Sequence, residues 1–228
     1  MPDLNTILAN LDATCVALSR PSELLREVFQ YSFREGLEPH EPAPIQGRLP
    51  ELPQHLELLP LDLLGRYVPS SLRVEIYADR VKQVAERLGE HKQYLFQVVR
   101  IHEWAHALVH VGQPRDLPLG VFRENDDARR SAEEEARSLW RRIPPELHET
   151  IAQLMSYHVT MHVRQKTFDG SPQTGALTRA FEKLCRLQPG AYSVDAIKKI
   201  PVERVSAVFD MLKRGELDPT GFVRALKL

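Results

Sequence analysis

The sequence predicts an α+β fold that is predominantly helical. Apolar residues recur at helical spacing through most of the chain, one short segment alternates at strand spacing, and Pro and Gly clusters break the helical runs at intervals. With 228 residues, 43% hydrophobic and 27% charged, the chain can bury one sizeable core and is too apolar to stay unfolded. Thirty basic and 31 acidic residues leave a net charge of -1. No summed positive field therefore draws it to a nucleic-acid backbone or an anionic membrane, and neither is expected as a partner. Asp3 stands where a secretory signal would be basic, and no apolar run is long enough to span a bilayer, so a soluble, cytoplasmic protein is expected. Cys15 and Cys185 are too few and too far apart for a disulfide framework or a paired thiolate motif. Nothing in the sequence sets the oligomeric state.

Leu4, Ile7, Leu8, Leu11 and Cys15 fall at helical spacing. A second helical run after Pro21 carries Leu24, Leu25, Val28 and Phe29 and continues through Tyr31 to Phe33, so residues 1–36 read as a helical pair. Prolines at 39, 42, 44, 50, 53 and 60 remove helix donors repeatedly, which makes 37–60 an extended linker or strap and leaves 61–228 as the main domain. Leu72 to Tyr77 alternates as a half-buried strand, and 78–88 reads as a helix stopped by Gly89. A longer helix starts near His91 and ends at Gly112 and Pro114. Apolar residues cover most of its circumference, so it is expected to be buried. Later helices are predicted at 129–141, 145–165, 175–187 and 202–214, the last two completing the core.

The buried helix carries His102-Glu103-Trp104-Ala105-His106, an H-E-x-x-H sequence. Two histidines four apart share one helix face, so both imidazoles reach a single metal, with Glu103 beside them to take a proton from a water there. A catalytic zinc site needs a third protein ligand. The metzincin continuation fails, because Val109 and Gly112 stand where its glycine and third histidine belong. His110, near the helix end, reads as a capping or surface residue. A glutamate from a later helix is the remaining source. Glu133, Glu134 and Glu135 sit in a charged run flanked by arginines, the pattern of a solvated face. Glu149 lies on an apolar helix started by Pro144-Pro145 and is expected to be buried. The positions that share its face are Ala152, Gln153 and Ser156, which permit close approach and offer acceptors to a ligand imidazole. Glu149 therefore ranks first, with Glu133 or Glu134, or no glutamate ligand at all, as the alternatives.

HEWAH followed by Glu149-Thr150-Ile151-Ala152-Gln153 resembles gluzincin-type zinc metallopeptidases, in particular the compact bacterial ImmA/IrrE-like zincins. In that group an H-E-x-x-H helix is followed by a helix with E-x-x-A-N. The similarity spans residues 72–165. It implies a zincin-like core with a small sheet, zinc on His102, His106 and Glu149, and Glu103 as the base. Gln153 replaces the group's Asn or Asp, and the separation of His106 from Glu149 is longer than is usual there.

Such a centre would hydrolyse peptide bonds in a peptide or protein substrate. Tyr157, His158, His162 and Tyr192 are the candidate oxyanion donors, each with ordinary packing as the competing role. Leu72 to Tyr77 is the candidate edge for an added substrate strand. Trp104 and Trp140 read as packing residues. The alternative to an enzyme is a regulatory or non-catalytic zinc-binding protein of the same fold, and after it a helical interaction protein with a vestigial motif. The intact Glu103 weighs against the last.

Overall fold

The computed structural model describes residues 20–34, 36–47, 64–114, 126–166, 175–187 and 194–226. The helix expected at Leu4 to Cys15, the second half of the proline strap and Tyr192 lie outside these residues. The elements run α1 (Pro21–Phe29), β1 (Tyr31–Phe33), β2 (Gly65–Val68), β3 (Arg73–Ile76), α2 (Ala78–Leu88), α3 (Lys92–Val111), β4 (Gly112–Pro114), α4 (Asp126–Arg142), α5 (Pro145–Lys166), α6 (Ala176–Arg186), α7 (Val194–Ile197), α8 (Val202–Lys213) and α9 (Pro219–Leu226). The described chain is thus mostly helical with a small antiparallel β component, an α+β arrangement.

The second helical run is shorter than its apolar spacing predicts. Gln30 turns into the left-handed region at φ 58° and ends α1 at Phe29, and Tyr31 to Phe33 become a strand instead. Tertiary contacts decide this. Tyr31 packs 5.0 Å from the Phe209 ring and donates to Asp210 at 2.7 Å, Phe33 lies edge-on to Trp104, and β1 pairs antiparallel with β4 in the register Tyr31↔Pro114.

The predicted strand at 72–77 forms as β3 and is bonded on both sides. It pairs antiparallel with β2, Gly65 opposite Ile76 and Val68 opposite Arg73. Its other edge takes the strap through parallel bridges at His40↔Arg73 and Ile45↔Tyr77. Residues 37–47 thus run extended, as their prolines require, but they are fastened along a strand. Glu41 clamps this segment to α3, accepting from Arg100 Nε at 2.6 and 2.8 Å and from Trp104 Nε1 at 2.7 Å.

Helix α3 occupies the centre. Val98, Ile101, Ala105, Leu108 and Val109 join the large cluster made with α1, α5, α6, α8 and α9, while Leu95, Val99 and Ala107 face β2, β3 and α2. A helix wrapped on all sides cannot present a polar face to water, so its polar side chains must find partners inside. Its C-terminal carbonyls are met by Lys213 Nζ from α8, 2.9 Å from the Val109 oxygen. His110 is therefore not a surface cap. It is 3% exposed and bonded through Nδ1 to the Tyr67 hydroxyl at 2.9 Å.

Burial depresses three histidines, His110, His148 and His158, each to about 4. In the unfolded chain they titrate near 6.5. Below that value the unfolded state takes up protons that the native state refuses, so stability present above pH 6.5 is lost as pH falls toward 4. Urea melts at pH 7 and pH 5 should differ by about 2 kcal/mol per histidine. Equal stability at the two values would contradict the neutral, buried state of these rings.

Candidate metal centre

Three side chains from two helices converge. His102 and His106 project from adjacent turns of α3, and Glu149 projects from the second turn of α5, which packs against it. His102 Nε2 lies 3.1 Å from His106 Nε2 and 3.1 Å from Glu149 Oε2, and His106 Nε2 lies 3.2 Å from Glu149 Oε1. The imidazole planes are nearly perpendicular, at 87°, so each ring directs Nε2 at the shared space from its own side. Ligands bound tetrahedrally at 2.0–2.1 Å stand about 3.3 Å apart, and the three observed separations match that spacing. Together they could hold one metal ion.

Electrostatics prepare the same point. Burial pushes His102 down, but the hydrogen bond and charge of Glu149, with the charge of Glu103, outweigh it and leave its pKa raised. For Glu149 burial acts upward, and the bonds and charges of His102 and His106 overcome it, holding the carboxylate far below its ordinary range. A carboxylate held ionised against two imidazoles is the charge arrangement a dication completes.

The expectation that Glu149 is buried is not met. Its side chain is 53% exposed, while that of His106 is 8% exposed. The apolar pattern of α5 comes from its other faces, and Glu149 occupies the one that opens to solvent beside His102. That leaves the cluster open to solvent on one side. Glu133, Glu134 and Glu135 lie on the solvated face of α4, with Glu133 paired to Arg137 and Glu135 to Arg34, and none joins the cluster. The acceptors expected from α5 are not bonded to His106. Ser156 donates to the Ala152 carbonyl of its own helix, and His106 Nδ1 is buried with no hydrogen-bond partner among the described residues.

Glu103 faces β2. It is 7% exposed, and burial raises its pKa against the lowering influence of His102 and His106. The Tyr67 amide donates to its carboxylate. Gly65 makes room for it, since a Cβ there would sit 2.9 Å from Glu103 Cγ, 2.9 Å from Val99 Cγ1 and 3.0 Å from the Glu75 carbonyl oxygen. Gly65→Ala should therefore displace Glu103. The variant is expected to lose about 1–3 kcal/mol of stability in urea melts. An alanine variant as stable as the unmodified protein would show that Glu103 and Val99 do not pack against this position.

A second set of rings backs the cluster, and no sequence spacing announces it. Trp140 stacks on His148 at 3.7 Å and lies 5.2 Å from His110, 5.8 Å from Tyr67 and 6.4 Å from His106. His148 bonds through Nε2 to the Trp140 carbonyl at 3.0 Å. The only local signal was that His148 precedes Glu149. The candidate oxyanion donors are remote, because Tyr157, His158 and His162 stand eight to thirteen residues along α5 from Glu149, about 12 to 20 Å at 1.5 Å per residue. His162 is engaged with Glu27 at 3.1 Å.

β3 is not available as a substrate edge, since both of its sides are taken. In the β2–β3 ladder Tyr77 N–H bonds to the Leu64 carbonyl, so by alternation Arg66 and Val68 also bond toward β3. Gly65 and Tyr67 then point their main-chain groups to the outer edge of β2, beside Glu103. Among the described residues no strand pairs with that edge.

No helix among the described residues is long and apolar enough to cross a membrane. Comparison with protein-family models, with curated proteins and with solved structures finds no match to this chain.

Proposed function

We propose that this chain is a zinc-dependent peptidase of the zincin type, with His102, His106 and Glu149 as metal ligands and Glu103 as general base. The observation that carries this reading is the convergence of two Nε2 atoms and a carboxylate at 3.1–3.2 Å beside a second, buried carboxylate. Two imidazoles and a carboxylate at this spacing suit zinc, and the H-E-x-x-H helix, which sets Glu103 beside the pair, is what favours zinc hydrolase chemistry. When bound, zinc supplies Lewis acidity that polarises the scissile carbonyl and lowers the pKa of a coordinated water toward about 7.

The chain's own residues do the rest. Glu103 takes the proton of the attacking water and returns it to the departing amine. Its raised pKa suits a group that must both accept and release a proton. The Tyr67 amide anchors it, and the Trp140 and His148 rings exclude water behind His106. An extended peptide adds to the outer edge of β2, which brings its backbone past Glu103.

Hydrolysis of a mixed fluorogenic peptide pool tests this reading. Cleavage should require one zinc per chain, stop on chelation and return with zinc. Cleavage that survives metal removal, or none by the zinc-loaded protein, would contradict it.

A further inference from the structure

The face of the small sheet turned away from α3 carries an unbalanced charge. Arg66 on β2 and Arg73 on β3 both bond to one carboxylate, that of Glu75, with Arg66 Nε 2.6 Å from Oε2 and Arg73 Nη2 2.9 Å from Oε1. The Tyr77 hydroxyl reaches Oε2 as well, at 3.3 Å. Glu75 is 5% exposed and surrounded, while the two arginine side chains remain 49% and 46% exposed. Two guanidiniums share one anion, so among the described residues one positive charge is left over at the surface.

Its position relative to the β2 edge is fixed by register. Arg66 bonds its main chain toward β3, so a strand added antiparallel on the other side meets it as a non-hydrogen-bonded pair, flanked by Gly65 and by Tyr67, whose carbonyl faces that edge while its amide is held by Glu103. Side chains of such pairs share a face and approach most closely, and opposite charges there attract. We propose that Arg66 is a specificity-determining residue that selects an acidic side chain, Asp or Glu, in the peptide strand bound to β2, at the residue directly opposite. This rests on the peptidase reading and adds the substrate class: extended peptides with a carboxylate on the face away from α3.

The test uses labelled octapeptides in which a single Glu, Gln or Lys is walked through an Ala/Ser background. Binding to the zinc-loaded Glu103→Gln protein is read by fluorescence anisotropy, and cleavage by the unmodified protein as kcat/KM. At one position Glu should bind about three- to fivefold tighter than Gln, with Lys weakest. Arg66→Gln should erase the preference, Arg66→Lys should keep it, and Arg66→Glu should reverse it toward Lys. Arg73→Gln, one strand farther away, should weaken it less. Thermal melts confirm folding, and Arg66→Lys supplies a charged variant should Arg66→Gln unfold by stranding Glu75. Glu and Gln bound equally at every position, or a preference that survives Arg66→Gln, overturns the assignment of Arg66 and leaves the peptidase reading intact. Peptides neither bound nor cut at any composition overturn the peptidase reading and this inference with it.

Discussion

Replacing Glu103 with Gln should lower kcat for peptide hydrolysis by about 100- to 10,000-fold while zinc remains bound. The amide matches the carboxylate in shape, so the space over Gly65 stays filled and the side-chain oxygen still accepts from Tyr67. What disappears is the capacity to take a proton. Because Glu103 is not among the three converging ligand atoms, metal affinity should change little. The readout is kcat on a fluorogenic peptide with zinc content measured on the same sample. A variant that retains both zinc and turnover would mean that another group removes the proton. A variant that loses zinc would mean that Glu103 is a ligand.

Glu149→Ala should do the opposite, abolishing stable metal binding and activity together. Loss of a residue that merely supports a ligand costs 10- to 100-fold in metal affinity, so removal of a ligand should cost more than about 100-fold. The effect is sharpened by charge, since Glu149 supplies the only carboxylate in the cluster and meets both imidazoles at 3.1–3.2 Å. Equilibrium titration with a competing chelator measures this. Unchanged affinity in Glu149→Ala would remove it from the ligand set, and the acidic run of α4 would have to be reconsidered. Glu133→Ala should leave affinity unchanged, because Glu133 pairs with Arg137 on the solvated face.

What could be read in the sequence was local chemistry. Helix α2 was expected at 78–88 and forms at Ala78–Leu88, because Gly89 takes the left-handed conformation at φ 62° that ends it. His91 caps α3 by accepting from the Gln93 amide, and Pro145 opens α5. The H-E-x-x-H spacing and the choice of Glu149 both rest on helical periodicity, and the three residues do meet. What could not be read depends on distant partners. Strands β1, β2 and β4 are three or four residues long, and β1 finds β4 some eighty residues away, so neither alternation nor turn chemistry announces them. The role of Tyr67 and Gly65 beside Glu103 is hidden for the same reason. Helix α9 did leave a cue: Asp218 accepts from the Gly221 amide at 2.6 Å, an N-cap directly before Pro219. Burial of His110 and exposure of Glu149 both run against periodic expectation, because the open side of the cluster is set by how α5 crosses α3.

The central claim is that one metal ion sits between α3 and α5 on two imidazoles and one carboxylate. X-ray absorption at the zinc edge of the loaded protein tests it most directly. The predicted spectrum shows only nitrogen and oxygen neighbours at about 2.0–2.1 Å, with imidazole scattering from two histidines that diminishes in His106→Ala. A sulfur neighbour at about 2.3 Å, or a spectrum indifferent to loss of His106 and Glu149, would place the metal elsewhere and contradict the account.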